Sequence, residues 1–268
     1  MKLHWENDEA MTQKEKLVGS DRVLAVLNEL ARHPAGLGLD EMARAIQSPK
    51  PTVHRALASL RRSGLATQDG HGRYVLGDEF LRMAFSYYEA KPDHLIIQPL
   101  LERLAAWSSE TVHYSVLDGP YVVFRAKAEP PARAIKLVTT IGGRNPAHAT
   151  AAGKLLLAYN LPTETAVKVW VGKRVLERPT ERTKTTVPDL HREFSKIREL
   201  GFAIDDQESE PGVNCIAIPT FGLSLSIPTG AISISALEFR VNVEGLKGII
   251  QGMNAIVGMS QANDFRQH

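Results

Sequence analysis

The chain has 268 residues, 43% of them hydrophobic and 23% charged, with a formal net charge of +2. These values exclude wholesale disorder and leave room for two domains, while the charge is too mild to announce a nucleic-acid partner by itself. A lone cysteine, Cys215, excludes an internal disulfide and fits a reducing compartment. The polar start MKLHWENDEAMTQKEK has no apolar signal core, and no apolar run approaches membrane-spanning length, so the expectation is a cytoplasmic protein with no membrane partner.

In chain order, residues 1–19 read as a flexible arm. Ser20 is placed to cap a helix from Asp21 with the stripe Val23, Leu24, Leu27 and Leu30, which His33 to Gly36 ends. Asp40 is placed to cap a second helix burying Met42, Ala45 and Ile46, and Gln47-Ser48-Pro49 makes a turn. The third helix groups Val53, Ala56, Leu57 and Leu60 on one face, with Arg55, Ser59 and Arg62 roughly opposite at 100° per residue. Gly64 is placed as its C-cap. The alternating runs Leu65 to Gln68 and Arg73 to Leu76, joined by Asp69-Gly70-His71-Gly72, read as a hairpin. Residues 20–77 therefore read as a winged helix-turn-helix. Residues 78–92 form a linker helix whose stripe Phe80, Leu81, Ala84, Tyr87 and Tyr88 suits a dimer contact, and Lys91-Pro92 breaks it.

Residues 93–268 mix helices and strands. Asp93 to Ser108, Ala151 to Tyr159, Leu161 to Val171, Pro188 to Leu200 and Val243 to about Met259 read as helices. Thr111 to Leu117, Tyr121 to Ala128, Ala134 to Thr139, Phe202 to Asp205, Cys215 to Phe221 and Gly230 to Leu237 read as strands, with a loop at Ile141 to Thr150. The hairpin signal Asp118-Gly119-Pro120 favours antiparallel pairing, hence an α+β fold.

The third helix carries the chemistry of a groove reader. From Lys50 to Tyr74 the charges are Lys50, Arg55, Arg61, Arg62 and Arg73 against Asp69 alone. Arg55 is suited to a guanine edge, and Thr52 and His54 to bases or phosphates, with Ser59 on the same side. Arg61, Arg62 and Arg73 suit the phosphate backbone. A merely solvated helix face is the alternative, and the wing and the missing acids argue against it.

Leu39, Met42 to Arg44, Pro49-Lys50, Thr52 to Arg55, Leu57 and Leu60, with the wing ending Gly72 to Gly77, resemble the DNA-binding domain of the IclR family of bacterial transcriptional regulators. Pro51 departs from that family's small hydroxyl residue, which would cap the recognition helix. Proline is tolerated in a first turn, and it pushes Lys50 away from the α region, putting the helix start and the aim of Lys50 in doubt. Ala147 to Lys154 and Gly201 to Asp206 with Glu210 to Ala217 are similar to the family's second domain. The resemblance implies a winged helix, a linker helix and a GAF-like effector domain, small-molecule effectors that are often carboxylates, and assembly as a homodimer or tetramer on operator DNA.

The resemblance also implies an effector pocket at Thr150, Ala151, Ala152, Asp205, Cys215, Ser233 and Ser235. A helix start offers N–H groups to a carboxylate, and Ser233 and Ser235, two apart on a strand, share a side. Asp205 is awkward beside an anion and suits orienting amides or binding a ligand hydroxyl or amine. Taken by themselves, Cys215 reads as a small buried hydrophobe and the serines as surface alternation. The family-typical pocket walls near Leu137, Ile141 and Ala147 are small to medium apolar residues here, and the apolar, rather long loop at Gly222 to Thr229 departs from the family's short polar turn. The enzyme alternative would use Cys215 with His113 or His148 and Asp205, but no spacing joins them, and no P-loop, G-x-G-x-x-G or H-E-x-x-H occurs. The same residues lack close metal-ligand spacing. No cofactor is expected.

Overall fold

The computed structural model describes residues 19–89, 93–130, 139–221 and 226–264. The expected arm up to residue 18, most of the strand expected at Ala134 to Thr139, Leu137 and part of the apolar loop at Gly222 to Thr229 lie outside them. The chain divides into two compact units, with the boundary between residues 92 and 93.

The first unit has the order α1 (Gly19–Arg32), α2 (Leu39–Ala45), α3 (Lys50–Arg62), β1 (Ala66–Gln68), β2 (Tyr74–Leu76) and α4 (Asp78–Glu89). Its core joins Val26 and Leu30 of α1, Met42 of α2 and Val53, Leu57 and Leu60 of α3. The apolar stripes turn inward in the main, but Leu24 of α1 and Ala45 of α2, expected among the packed residues, are exposed, and Ala43 is buried instead of Ala45. β1 and β2 pair antiparallel, Thr67 opposite Val75, as a wing. Asp69 closes its tip by accepting hydrogen bonds from the His71 and Arg73 amides at 2.9 and 2.8 Å.

Three expectations about helix starts also change. α1 is already helical at Gly19, so Ser20 lies inside it rather than at its cap. Gly38, not Asp40, holds the cap of α2, and Glu41 reaches back to accept the Gly38 amide at 2.8 Å. α3 starts at Lys50 with Pro49 at the cap. Position 51 is therefore the second helical residue, not a capping site. A first-turn residue has an N–H with no intrahelical acceptor, so proline forfeits nothing there. The helix start is ordinary despite Pro51.

The second unit contains α5 (Asp93–Ser108), β3 (Thr111–Asp118), β4 (Tyr121–Ala128), β5 (Arg144–Pro146), a short 3-10 turn (Ala147–Ala149), α6 (Ala151–Asn160), α7 (Glu164–Val171) and α8 (Val187–Leu200). There follow β6 (Ala203–Asp206), β7 (Val213–Thr220), β8 (Gly230–Leu237), α9 (Val243–Gly248) and α10 (Ile250–Asp264). The strands form one antiparallel sheet in the order β5-β4-β3-β8-β7-β6. β5 falls where a loop was expected, and the single closing helix expected from Val243 is two, interrupted at Ile249.

The sheet separates its two faces by the period-two rule. Val112 and Tyr114 of β3, Ile232, Ile234 and Ala236 of β8, and Ile216 and Ile218 of β7 pack with α5, α9 and α10. The opposite face offers Ala203, Ala217 and Ala231 to α6, and α7 and α8 lie outside α6. Small residues there let α6 approach the sheet closely. Every residue of α6 from Ala151 to Ala158 is buried. Beyond the alanines the same face turns polar, and there the candidate site forms.

Candidate functional site

The recognition face comes first. Lys50, His54, Arg55, Arg61 and Arg62 are exposed along α3, with Thr52 and Ser59 half-buried among them. α3 carries no acidic residue. Lys50 pairs with Asp40 at 2.8 Å, both well exposed, a weak and exchangeable partner. Arg73 is differently placed. Its guanidinium donates to the Gly36 carbonyl at 2.6 and 3.2 Å and meets Glu41 at 3.2 Å. It ties the wing to the turn before α2, which is a structural task whatever it adds on a phosphate.

In the second unit Thr150, Ala151, Ala152, Asp205, Cys215, Ser233 and Ser235 all line one cavity of about 310 Å³. Strand register explains how distant residues meet. One row across the sheet reads Thr111, Ser235, Cys215 and Asp205, and the next reads His113, Ser233, Ala217 and Ala203. The start of α6 closes one side. Thr150 caps that helix, its hydroxyl accepting from the Gly153 amide at 3.0 Å, and its carbonyl accepts the Lys154 amide at 2.9 Å. The Ala151 and Ala152 amides, in the first turn, have no intrahelical acceptor, the arrangement that suits an anion. Gly153 is required here: a Cβ would stand 2.2 Å from the Ala147 carbonyl oxygen, because the 3-10 turn presses on the helix.

Asp205 is fully buried and spends its carboxylate locally. It accepts the Glu208 amide at 2.6 Å, the Ser209 amide at 3.2 Å and the Ser209 hydroxyl. It orients the turn between β6 and β7. Burial pushes its pKa up to about 6 against those hydrogen bonds and the charge of Lys154. Lys154, with no exposed surface, pairs with Glu208 and with Glu193 at 3.1 Å, and Lys184 reaches Glu208 at 3.1 Å. Burial opposes the Lys154 charge, but the two carboxylates outweigh it and hold its pKa above the usual lysine value.

Cys215 donates to the Ser235 hydroxyl at 3.1 Å. Burial, then the Asp205 charge, push its thiol pKa up, which leaves it protonated and a poor nucleophile. His113 bonds Thr139 and His148 bonds the Glu177 carbonyl, each at 2.8 Å through Nε2, while the thiol is engaged with Ser235. Among the described residues no three metal-ligating side chains gather.

The cavity also draws in residues not anticipated from sequence: His113, Phe124, Thr139, Asn145, Ser209 and Glu210. One signal for them existed. Thr111, His113 and Ser115 alternate as polar residues through an otherwise apolar strand, marking a polar row on a buried sheet. Of the expected apolar walls, Ala147 is buried next to the α6 start, while Ile141 is exposed.

Two family models account for most of the chain. Residues 20–70 match the IclR helix-turn-helix domain, and residues 94–257 match the C-terminal domain of bacterial transcriptional regulators of the IclR type. The chain belongs to the IclR family. This IclR-family chain is 33% identical over 230 residues to the HTH-type transcriptional regulator BhcR of Paracoccus denitrificans, covering 83% of the chain and 78% of the relative. It is 29% identical over 249 residues to the DNA-binding transcriptional repressor YiaJ of Escherichia coli K12, covering 91% and 88%. In fold it resembles an IclR homolog from Microbacterium hydrocarbonoxydans complexed with 4-hydroxybenzoate. That match has a TM-score of 0.74 and 20% identity, and covers 92% of this chain and 98% of that one. Membership makes this IclR-family protein a DNA-binding transcriptional regulator, and the enzyme alternative built on Cys215 has no support. Among the described residues no helix is long and apolar enough to cross a membrane.

Proposed function

We propose that this regulator represses its target genes by placing α3 in the major groove of a pseudo-palindromic operator, and that a small organic acid in the second unit controls that binding. The observation that carries the reading is the cavity. It combines two helix-start amides with the Asp205, Cys215, Ser233 and Ser235 patch, in a unit separate from the recognition helix. The volume, about 310 Å³, is at the lower end for small-molecule sites and suits a metabolite. Arg55 and Thr52 read bases, and Arg61 and Arg62 hold phosphates.

The homodimer expected of such a reader is supported by α4, which exposes Leu81, Met83 and Phe85. Two dimers pairing as a tetramer extends the same reading. Repression is favoured because the Escherichia coli relative is named a repressor. An effector releases DNA only if it binds the DNA-free arrangement more tightly.

The test is a mobility-shift titration with DNA from upstream of the protein's own gene and of neighbouring catabolic genes. Binding that weakens steeply with salt and is released by a small organic acid is expected. Failure to prefer any such fragment over random DNA would overturn the reading.

A further inference from the structure

Pro51 is an exposed residue of α3 that neither the packing nor the contacts proposed above employ. The buried side chains of Val53, Ala56, Leu57 and Leu60 define the packed side of the helix. At 100° per residue, Pro51 and Arg62 each point within about 10° of the direction opposite that side, and Arg55 within about 30°. Lys50, Thr52 and Arg61 lie roughly 90° or more away from it. Burial agrees with this geometry: Pro51, Arg55 and Arg62 are exposed, while Thr52 and Ser59 are half-buried. The midline of the outward face therefore begins at Pro51.

An exposed helix start ordinarily seats a phosphate on its first-turn N–H groups. The start of α3 is poorly made for that. Pro51 has no N–H to give. The Thr52 and Val53 amides both donate to the Pro49 carbonyl, at 2.9 and 3.1 Å. The Lys50 ammonium is drawn to Asp40 at 2.8 Å. What position 51 presents outward is an apolar ring. Recognition helices bring their N-terminal residues to base edges, and the apolar feature of the major groove is the thymine C5-methyl. Pro51 also stands one turn before Arg55. Side chains four apart on a helix have Cβ atoms about 5–6 Å apart, which is one to two base-pair steps of about 3.4 Å. Proline in a first turn also favours helix initiation, but that role alone is indifferent to the base beneath it.

We propose that Pro51 is a specificity-determining residue, its ring packing against the C5-methyl of a thymine one or two base pairs from the base that Arg55 reads. This rests on the placement of α3 in the major groove. It adds an apolar readout to the hydrogen bonds of the arginine, and each half-site of the operator then carries one thymine whose methyl matters.

The test is fluorescence anisotropy of the full chain on the DNA fragment it prefers from upstream of its own or neighbouring genes, with deoxyuridine replacing thymine one position at a time. Uracil keeps every hydrogen-bonding atom of thymine and removes the methyl. The wild type loses about three- to fivefold in affinity at one thymine of each half-site, the effect of uncovering one buried carbon. Pro51→Ala and Pro51→Ser bind the thymine operator several-fold more weakly and are indifferent to uracil at that position. Arg55→Ala keeps the uracil penalty there and loses its own base preference. The thymine-to-uracil ratio is read within each variant, so a change in helix stability leaves it unmoved. A scan with no methyl-sensitive thymine, or a penalty that Pro51→Ala and Pro51→Ser retain, overturns the proposal. If Arg55→Ala still loses base preference in that case, α3 remains the reader and Pro51 merely starts the helix. If neither Arg55→Ala nor Pro51→Ala alters operator binding, the placement of α3 itself fails.

Discussion

Ser233 stands opposite His113 across the β8–β3 pairing, and Ser235 stands opposite both Thr111 and Cys215. Two serines spaced by two thus serve adjacent polar rows on one face of the sheet. Ser233→Ala and Ser235→Ala each remove a hydroxyl from the cavity wall without touching the DNA-binding unit. Each is expected to weaken effector response by about 1 kcal/mol, several-fold in the releasing concentration, with DNA affinity in the absence of effector unchanged. Ser235→Ala also strips Cys215 of its partner at 3.1 Å and is the more damaging to stability. Effector titrations followed by mobility shift check both; unaltered titrations in both variants would remove the serines from the site.

Arg55 lies exposed on α3, away from the buried Val53, Ala56, Leu57 and Leu60. Arg55→Ala should cost about 1–3 kcal/mol on the operator and flatten the preference at the base it reads. Arg61→Ala or Arg62→Ala should instead weaken binding evenly across sequences and reduce the salt slope by about one. Competition against single-base operator variants, repeated across salt concentrations, distinguishes the two behaviours.

Arg73 holds the wing through the Gly36 carbonyl and Glu41. Arg73→Ala should therefore lower stability by about 1–2 kcal/mol, visible as a fall in the melting temperature of the DNA-free protein. An unchanged melting temperature with weaker, less salt-dependent DNA binding would show that its main work is on phosphate.

Lys154 is the sole cation with no exposed side-chain surface among the described ion pairs. Lys154→Met fits the space but leaves Glu208 and Glu193 with Lys184 alone. The expected cost is about 3–5 kcal/mol, measured by denaturant unfolding. Because the Asp205 turn continues into Glu208, effector response should fall with it.

Asp205 and His113 give opposing pH dependences. Asp205 titrates near 6 when folded and 3.8 when free. Its favourable protonated form is fully present below about pH 4, and stability is lost as pH rises to about 6, on the order of 3 kcal/mol at most. His113 titrates near 4 when folded and 6.5 when free. Its contribution is present above about 6.5 and lost as pH falls toward 4. Asp205→Asn should make stability rise more steeply between pH 4 and 6.5 than in wild type, and His113→Phe should make it rise less. Urea unfolding at stepped pH values measures both slopes.

Much of this architecture was legible in the sequence, because it depends on patterns that local physics enforces. The stripe Val53, Ala56, Leu57 and Leu60 and the Asp69-Gly70 turn placed α3 and the wing, and the alternation through Ile232 and Ile234 placed β8. β5 was not legible: three residues, one of them Pro146, leave no period to detect. The seven residues of the cavity were reached through resemblance, since pairing partners such as Asp205 and Cys215 are a tertiary fact. His113 was named only as a partner for Cys215 in the enzyme alternative and not as a cavity wall, although Thr111 and Ser115 flank it at the same period. A buried Lys154 inside a run of leucines and alanines gave no hint of its carboxylate partners, because those come from α8 and from the turn after β6.

The burial of α6 on every side has a practical side. Its start offers no room to enlarge a side chain, since even a Cβ at Gly153 would strike Ala147, and overfilling such a site costs about 1–3 kcal/mol. Under the proposed effector role, the carboxylate seat is thus fixed hardware. The serines of β8, His113 of β3 and the turn at Ser209 and Glu210 are the adjustable dials. A library that converts this protein into a biosensor for another acid should vary those positions and leave 147–158 untouched.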